Sequence, residues 1–91
     1  VDLHIEKLTK NPGMFSVPEI LQLQLSEFEK YFDLARAHKL PGLIVIHGIG
    51  EGKLKQEIHD RLKNRPDVKS FINRYHPLYG YGATEIELIN H

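Results

Sequence analysis

Between Val17 and His38 the apolar residues Leu21, Leu25, Phe28, Phe32 and Ala35 recur at steps of four and three and line one stripe. This spacing predicts one amphipathic helix of some 22 residues, ~33 Å long at the α-helical rise. In a chain of 91 residues, one domain of small size, the rest of the core has to be built against that rod. Its start is written as Ser16-Val17-Pro18-Glu19, a capping box in which the Ser oxygen and the Glu carboxylate each satisfy a free backbone N–H. Pro18 falls in the first turn, where its missing N–H does little harm. Pro41-Gly42 stops the helix.

The remaining segments read as strands and a second helix. Val1 to Ile5 alternates with period two, with Val1, Leu3 and Ile5 on one face and Asp2 and His4 on the other. Lys10-Asn11-Pro12-Gly13 is a turn-rich loop. Leu43 to Ile46 is a continuous β-branched run, expected to be a central, parallel strand. Leu54, Ile58 and Leu62 stack on a second helix, which ends at Arg65-Pro66-Asp67. Val68 to Tyr75 is a third strand of less regular pattern, and residues 76–82 form a turn-rich connection. In the fourth strand, Ala83 to Ile89, Thr84, Ile86 and Leu88 point inward and Glu85 and Glu87 outward. The order β-α-β-α-β-β places this chain in the α/β class, with right-handed crossovers and an antiparallel final pair.

Composition narrows the functions. The chain has no cysteine, which excludes disulfides and thiolate metal sites and agrees with a reducing, cytoplasmic setting. No apolar run approaches the ~20 residues of a membrane span. The first residue is not Met and already reads as strand, so the expectation is a domain cut from a longer protein, with upstream domains of the same chain as partners. Net charge is zero, unlike the basic excess of a dedicated duplex-DNA binder. The charge is uneven, however: residues 53–76 hold seven Lys and Arg (Lys53, Lys55, Arg61, Lys63, Arg65, Lys69, Arg74) against three acidic residues. This is the stretch a polyanion would favour, or else a solvated helix face of mixed charge.

That basic stretch begins at His47-Gly48-Ile49-Gly50-Glu51-Gly52-Lys53-Leu54. Its spacing is one residue short of both the phosphate-binding P-loop and the dinucleotide fingerprint, and no Ser or Thr follows Lys53. What remains is either a tight turn with close helix packing or an anion site at a helix N-terminus, strengthened by Lys53 and opposed by Glu51. His47 ends the second strand as His4 ends the first. In parallel neighbours both would emerge at one rim of the sheet, with Asp2 on the face of His4. One carboxylate and two imidazoles there could serve as general base, orienting group or phosphate partner. The same groups could bind a divalent metal, although the spacing supplies no third ligand and no cofactor is evident. No Ser-His-Asp set is suggested. His38 reads as a helix-dipole partner, and His59 and His76 as surface residues.

Three segments together resemble the Smr (small MutS-related) domain family. They are Asp2-Leu3-His4, His47 to Leu54, and Gly80-Tyr81-Gly82-Ala83-Thr84, set against the family's D-L-H-G, H-G-x-G-x-G-x-L and G-x-G-A-T motifs. The resemblance implies an α+β two-layer sandwich similar to the C-terminal domain of translation initiation factor three. Its four-stranded mixed sheet would have order 1-2-4-3, with both helices on one face. It also implies nucleic-acid binding, of DNA or RNA, and endonuclease (nicking) activity. Asp2, His4 and His47 would be catalytic, and Gly48, Gly50, Gly52, Lys53 and Lys55 would hold phosphate. The alternative is a non-catalytic module that binds nucleic acid or a protein partner. Ile5 stands where the first motif has glycine, the Thr9–Ser16 connection is long, and Glu85 and Glu87 should repel a phosphate backbone from the open face. Binding should therefore use the loop edge and the basic second helix.

Overall fold

The computed structural model describes residues 1–50 and 52–89. The long helix forms as the sequence predicts, as α2 over Val17–Ala37. Its capping box is present: the Ser16 N–H donates to Glu19 Oε1 at 2.8 Å, and the Glu19 N–H donates to Ser16 Oγ at 3.3 Å. Leu25, Phe28, Phe32 and Ala35 are buried along one stripe. His38 caps the C-terminus, and Lys39 turns the chain with φ +52°. A short helix, α1 (Ile5–Leu8), and a 3-10 turn at Pro12–Met14 occupy the connection before it.

Three strands follow with one intervening helix: β1 (Gly42–Ile46), α3 (Lys53–Lys63), β2 (Val68–Asn73) and β3 (Ala83–Leu88). The sheet order is β1-β3-β2, and both pairings are antiparallel. Of the expected four-stranded mixed sheet of order 1-2-4-3, the last three strands keep their expected order as a three-stranded antiparallel sheet with β3 at its centre; the first is missing, so β1, expected to be central and parallel, is an antiparallel edge strand. The first expected strand shrinks to one parallel bridge between Asp2 and Ile46. There the Leu3 N–H donates to the Ile46 carbonyl at 2.8 Å, and the Ile46 N–H donates to the Val1 carbonyl at 2.7 Å. The pairing stops because the Asp2 carboxylate accepts the His4 backbone N–H at 3.0 Å. That local side-chain turn competes with extended structure, and Ile5 opens a helix instead of continuing a strand.

Both long helices pack on one face. Leu25, Phe28, Phe32 and Ala35 of α2 and Leu54, Ile58 and Leu62 of α3 close over Val45, Ile86 and Leu88 of the sheet, with Leu3 also in this cluster. The other face is open. Ile44, in the run expected to be a central strand, is 42% exposed because no layer covers its side of β1. β2 shifts register between Val68 and Ser70, which accounts for its irregular pattern in sequence. No helix among the described residues is long and apolar enough to cross a membrane.

Candidate functional site

The period-two parity of β1 decides where the first histidine goes. Val45 points inward, so His47, two residues later, does too; its side chain is buried, not displayed on the rim. His47 Nδ1 lies 3.0 Å from the Gly48 carbonyl, which can only accept, so Nδ1 carries the proton. Nε2 is then an acceptor and takes the hydroxyl proton of Thr84 at 2.8 Å. The Thr84 oxygen in turn accepts from His59 Nε2 at 2.9 Å. The three side chains form one directional chain: His59 to Thr84, Thr84 to His47, His47 to the Gly48 carbonyl.

Burial pushes both imidazoles below their ordinary value of 6.5. At His47 the Gly48 hydrogen bond opposes that effect, while His59, Lys55 and His4 add repulsion. At His59, Lys55 and Lys63 assist and Asp60 opposes. Groups with depressed pKa bind fewer protons folded than unfolded, so stability rises with pH across the interval between the two values. This contribution is complete above pH 6.5 and is lost as pH falls below it towards the folded values. The melting temperature should therefore rise from pH 5 to pH 7.5 in thermal scans, and His59→Gln should flatten the rise. An equal slope in the variant would reject a depressed pKa at His59 as its source.

His4 stands on the other side of the loop. Its Nδ1 lies 2.7 Å from Asp2 Oδ1, which fixes the proton on Nδ1 and leaves Nε2 as the free lone pair. Asp2 is held below the ordinary carboxylate range: its partial burial would raise it, but the hydrogen bonds from the His4 backbone and ring and the nearby charges of His4 and Lys7 win. His4 Nε2 faces Gly48 so closely that a Cβ built there would lie 3.0 Å from it, and Gly48 has φ +87°. Glycine is required at this position on both counts. The Tyr79 ring centroid lies 6.2 Å from that of His4 and 5.0 Å from that of His76. Ile5 has helical rather than positive-φ backbone, so this departure from the motif imposes no conformational penalty.

The glycine loop is fixed from the far end of the chain. The His47 and Gly48 N–H groups both donate to the Gly82 carbonyl, at 2.9 and 3.0 Å. Gly52 then caps α3 in the left-handed region at φ +81°, and no side chain caps the helix. Among the described residues no side chain accepts from the first-turn N–H groups of α3. Gly50 has open space where a Cβ would go. Glu51, expected to oppose an anion here, lies outside the described residues.

The two lysines of this helix start divide sharply. Lys53 points outward and pairs with Glu57 at 3.6 Å. Lys55 is half-buried, and its Nζ donates to Asn73 Oδ1 at 3.4 Å. The Asn73 amide donates to the Tyr81 and Ala83 carbonyls, each at 2.7 Å. A concavity of about 130 Å³ is lined by Gly48, Ile49, Gly50, Gly52, Lys55, Asn73 and Tyr81.

Most of the basic stretch is neutralised. Arg61 and Arg65 both reach Glu29, at 2.6 and 2.5 Å. Lys63 pairs with Asp60, Lys69 with Glu87 and Arg74 with Glu85. With Lys53, six of the seven basic residues have carboxylate partners; among the described residues Lys55 has none. The last two pairs also offset the acidic open face expected from Glu85 and Glu87.

The structure thus brings Asp2, His4 and Gly48 together at one lip and Gly50, Gly52 and Lys55 around one concavity. It places His47 beneath them with both ring nitrogens engaged, and turns Lys53 away. His59, read in sequence as a surface residue, is half-buried and joins the arrangement, as do Thr84 and Tyr81, quoted in sequence within the third motif, and Asn73, which sequence did not single out. The signal for Thr84 was its inward parity on β3. His59 carried one too, lying four residues after Lys55 on the same helical face. Among the described residues no group of three His, Cys, Asp or Glu side chains is placed to hold a metal ion.

Comparison with known proteins supplies the relatives. The Smr domain family model matches residues 22–89, a span that excludes Asp2 and His4. Endonuclease MutS2 of Bacillus cytotoxicus is 45% identical over 62 residues, which is 66% of this chain and 8% of that protein. Endonuclease MutS2 of Pelotomaculum thermopropionicum is 42% identical over 64 residues, again 8% of its length and 70% of this chain. The chain therefore spans under a tenth of the curated relatives it matches. The crystal structure of the Smr domain of Thermus thermophilus MutS2 superimposes with a TM-score of 0.66 at 28% identity, covering 98% of this chain and 95% of that one.

Proposed function

This chain belongs to the Smr domain family, and on that premise we propose that it binds nucleic acid through phosphate at the glycine loop and cleaves a phosphodiester there. The observation that carries the reading is the position of Lys55. It is the one basic side chain of its stretch without a carboxylate partner among the described residues, and it lines the same concavity as Gly48, against which His4 Nε2 is held. A phosphate placed there meets the Lys55 ammonium and the uncapped first turn of α3, whose N–H groups favour an anion.

The chemistry follows from the fixed tautomer of His4. Nε2 takes a proton from water as the water oxygen bonds to phosphorus. The bond from phosphorus to the leaving oxygen breaks, and the imidazolium returns the proton to that oxygen. The sum is one phosphodiester and one water giving a phosphomonoester and an alcohol. Asp2, ionised through the neutral range, holds the ring and stabilises the imidazolium. His47 is a positioning residue here: it orients the Gly48 carbonyl and thereby the loop. The name endonuclease borne by the MutS2 relatives supports this direction.

Binding is tested by fluorescence anisotropy of a labelled oligonucleotide over a salt series. Lys55→Ala should weaken binding regardless of sequence and reduce the slope of log affinity against log salt by about one. Absence of binding by the unaltered chain at low salt would remove the phosphate reading.

A further inference from the structure

Three of the chain's four tyrosines, Tyr75, Tyr79 and Tyr81, fall within seven residues of the connection into β3. Tyr79 packs beside His4 and His76, but Tyr75 and Tyr81 are each 62% exposed. Their rings meet edge to face, with centroids 5.5 Å apart and planes at 71°. That contact braces each ring while leaving aromatic surface in water, where a core residue would gain nothing.

Tyr81 is also joined to the phosphate-binding groups. Its carbonyl is held by the Asn73 amide, whose oxygen accepts from Lys55 Nζ. A single side chain thus fixes an aromatic residue and the Lys55 ammonium relative to each other. Both line the concavity, as does Ile49, which is 79% exposed and packs against Gly80, its Cδ1 3.5 Å from where a Cβ there would sit. An aliphatic surface, an aromatic ring and an ammonium around one hollow match a nucleotide: a flat apolar base attached to an anionic phosphate.

We infer that Tyr81, braced by Tyr75, is a base-stacking subsite, and that the strand bound here presents an unpaired base. The inference rests on the phosphate reading above and names its substrate class. In a duplex both faces of each base are covered by neighbours, so a closed helix has no face to offer Tyr81. A single strand or an unpaired junction does. Stacking reads the base face and not the sugar, so DNA and RNA strands should respond alike to loss of the ring.

The test is anisotropy with four fluorescein-labelled probes: a thymidine oligonucleotide, a uridine oligonucleotide, an abasic oligodeoxynucleotide of the same length and phosphate count, and a blunt duplex of two fully complementary strands. Tyr81→Ala should weaken binding of the two base-bearing strands by about 5- to 150-fold, and Tyr81→Phe should restore it. Tyr75→Ala should act in the same direction by a smaller factor. The abasic and duplex probes should be unaffected, and the salt slope unchanged. A different loss on the two base-bearing strands would overturn a sugar-blind subsite. The inference fails outright if Tyr81→Ala binds base-bearing strands as the unaltered chain does, or weakens the abasic probe equally. Loss of binding to every probe in Lys55→Ala, with Tyr81→Ala unchanged, would leave the phosphate reading standing without the stacking subsite. Failure of the unaltered chain to bind any probe would remove both.

Discussion

Replacing His4 by alanine should lower the rate of phosphodiester cleavage by about a hundred- to ten-thousand-fold, the usual contribution of a positioned general base. Affinity for the nucleic acid should stay within about twofold, because the proposed binding mode assigns the phosphate to Lys55 and the helix N-terminus rather than to the imidazole. Asp2→Asn should produce a large part of the same loss. The amide presents an N–H where the carboxylate accepted one, and it no longer stabilises a protonated ring. Single-turnover cleavage of supercoiled plasmid and of structured RNA, with binding measured in parallel, separates the two effects. Cleavage by His4→Ala at the unaltered rate would end this site assignment. Binding without cleavage by the unaltered chain would instead make the domain a recognition module. The contrast with His47 is informative. His47→Ala should impair folding and loop placement together, since it deletes the link between Thr84 and the Gly48 carbonyl.

The largest effect on stability should come from Phe28→Ala. Phe28 is fully buried, and its ring lies 5.9 Å from that of Phe32. The Arg65 guanidinium sits over both rings, at 5.4 and 4.6 Å, while its other end of the interaction is the Glu29 carboxylate shared with Arg61. Truncation removes the ring's transfer free energy, opens a cavity between α2 and the sheet and takes away one face of the cation's seat. Buried Phe→Ala changes cost ~3–5 kcal/mol, against a total of ~5–15 kcal/mol for an ordinary domain. Urea unfolding should show a much lower midpoint with an unchanged slope. A midpoint within experimental error of the unaltered chain would mean that α2 does not depend on this ring for its seat.

The helices were legible because their signals are local. The Ser16–Glu19 capping box and the four-and-three spacing of α2 need no information from elsewhere in the chain, and the stripe Leu54, Ile58, Leu62 is equally self-contained. β3 was legible through its alternation. The first strand was not: its period-two pattern was real, but one hydrogen bond from the His4 N–H to the Asp2 carboxylate diverted the chain into α1. A pattern in five residues does not reveal such a local competitor. The continuous apolar run of β1 suggested a central strand, whereas its start is partly buried or exposed and its end, Val45 and Ile46, is buried.

The parity of β1 would have placed His47 inside. Reading it as a rim residue came from weighing strand-end position above side-chain direction. The division between Lys53 and Lys55 depended on partners, Glu57 for one and Asn73 for the other, which spacing alone does not rank. Asn73 itself gave no warning, since its role exists only once β2 lies beside β3 and the Tyr81 loop turns over it.

The central position of β3 has a consequence for how this domain comes into being. β1 and β2 are not paired with each other; each pairs with β3, the last of the three strands to be synthesised. The Gly82 carbonyl that pins the glycine loop and the Thr84 hydroxyl that orients His47 arrive with that strand. A nascent chain ending before Gly82 therefore has helices but no three-stranded sheet, and a glycine loop without the carbonyl that pins it. Such late, sequence-distant contacts slow folding. Here they also mean that any hydrolytic power the domain has is withheld until its synthesis is complete.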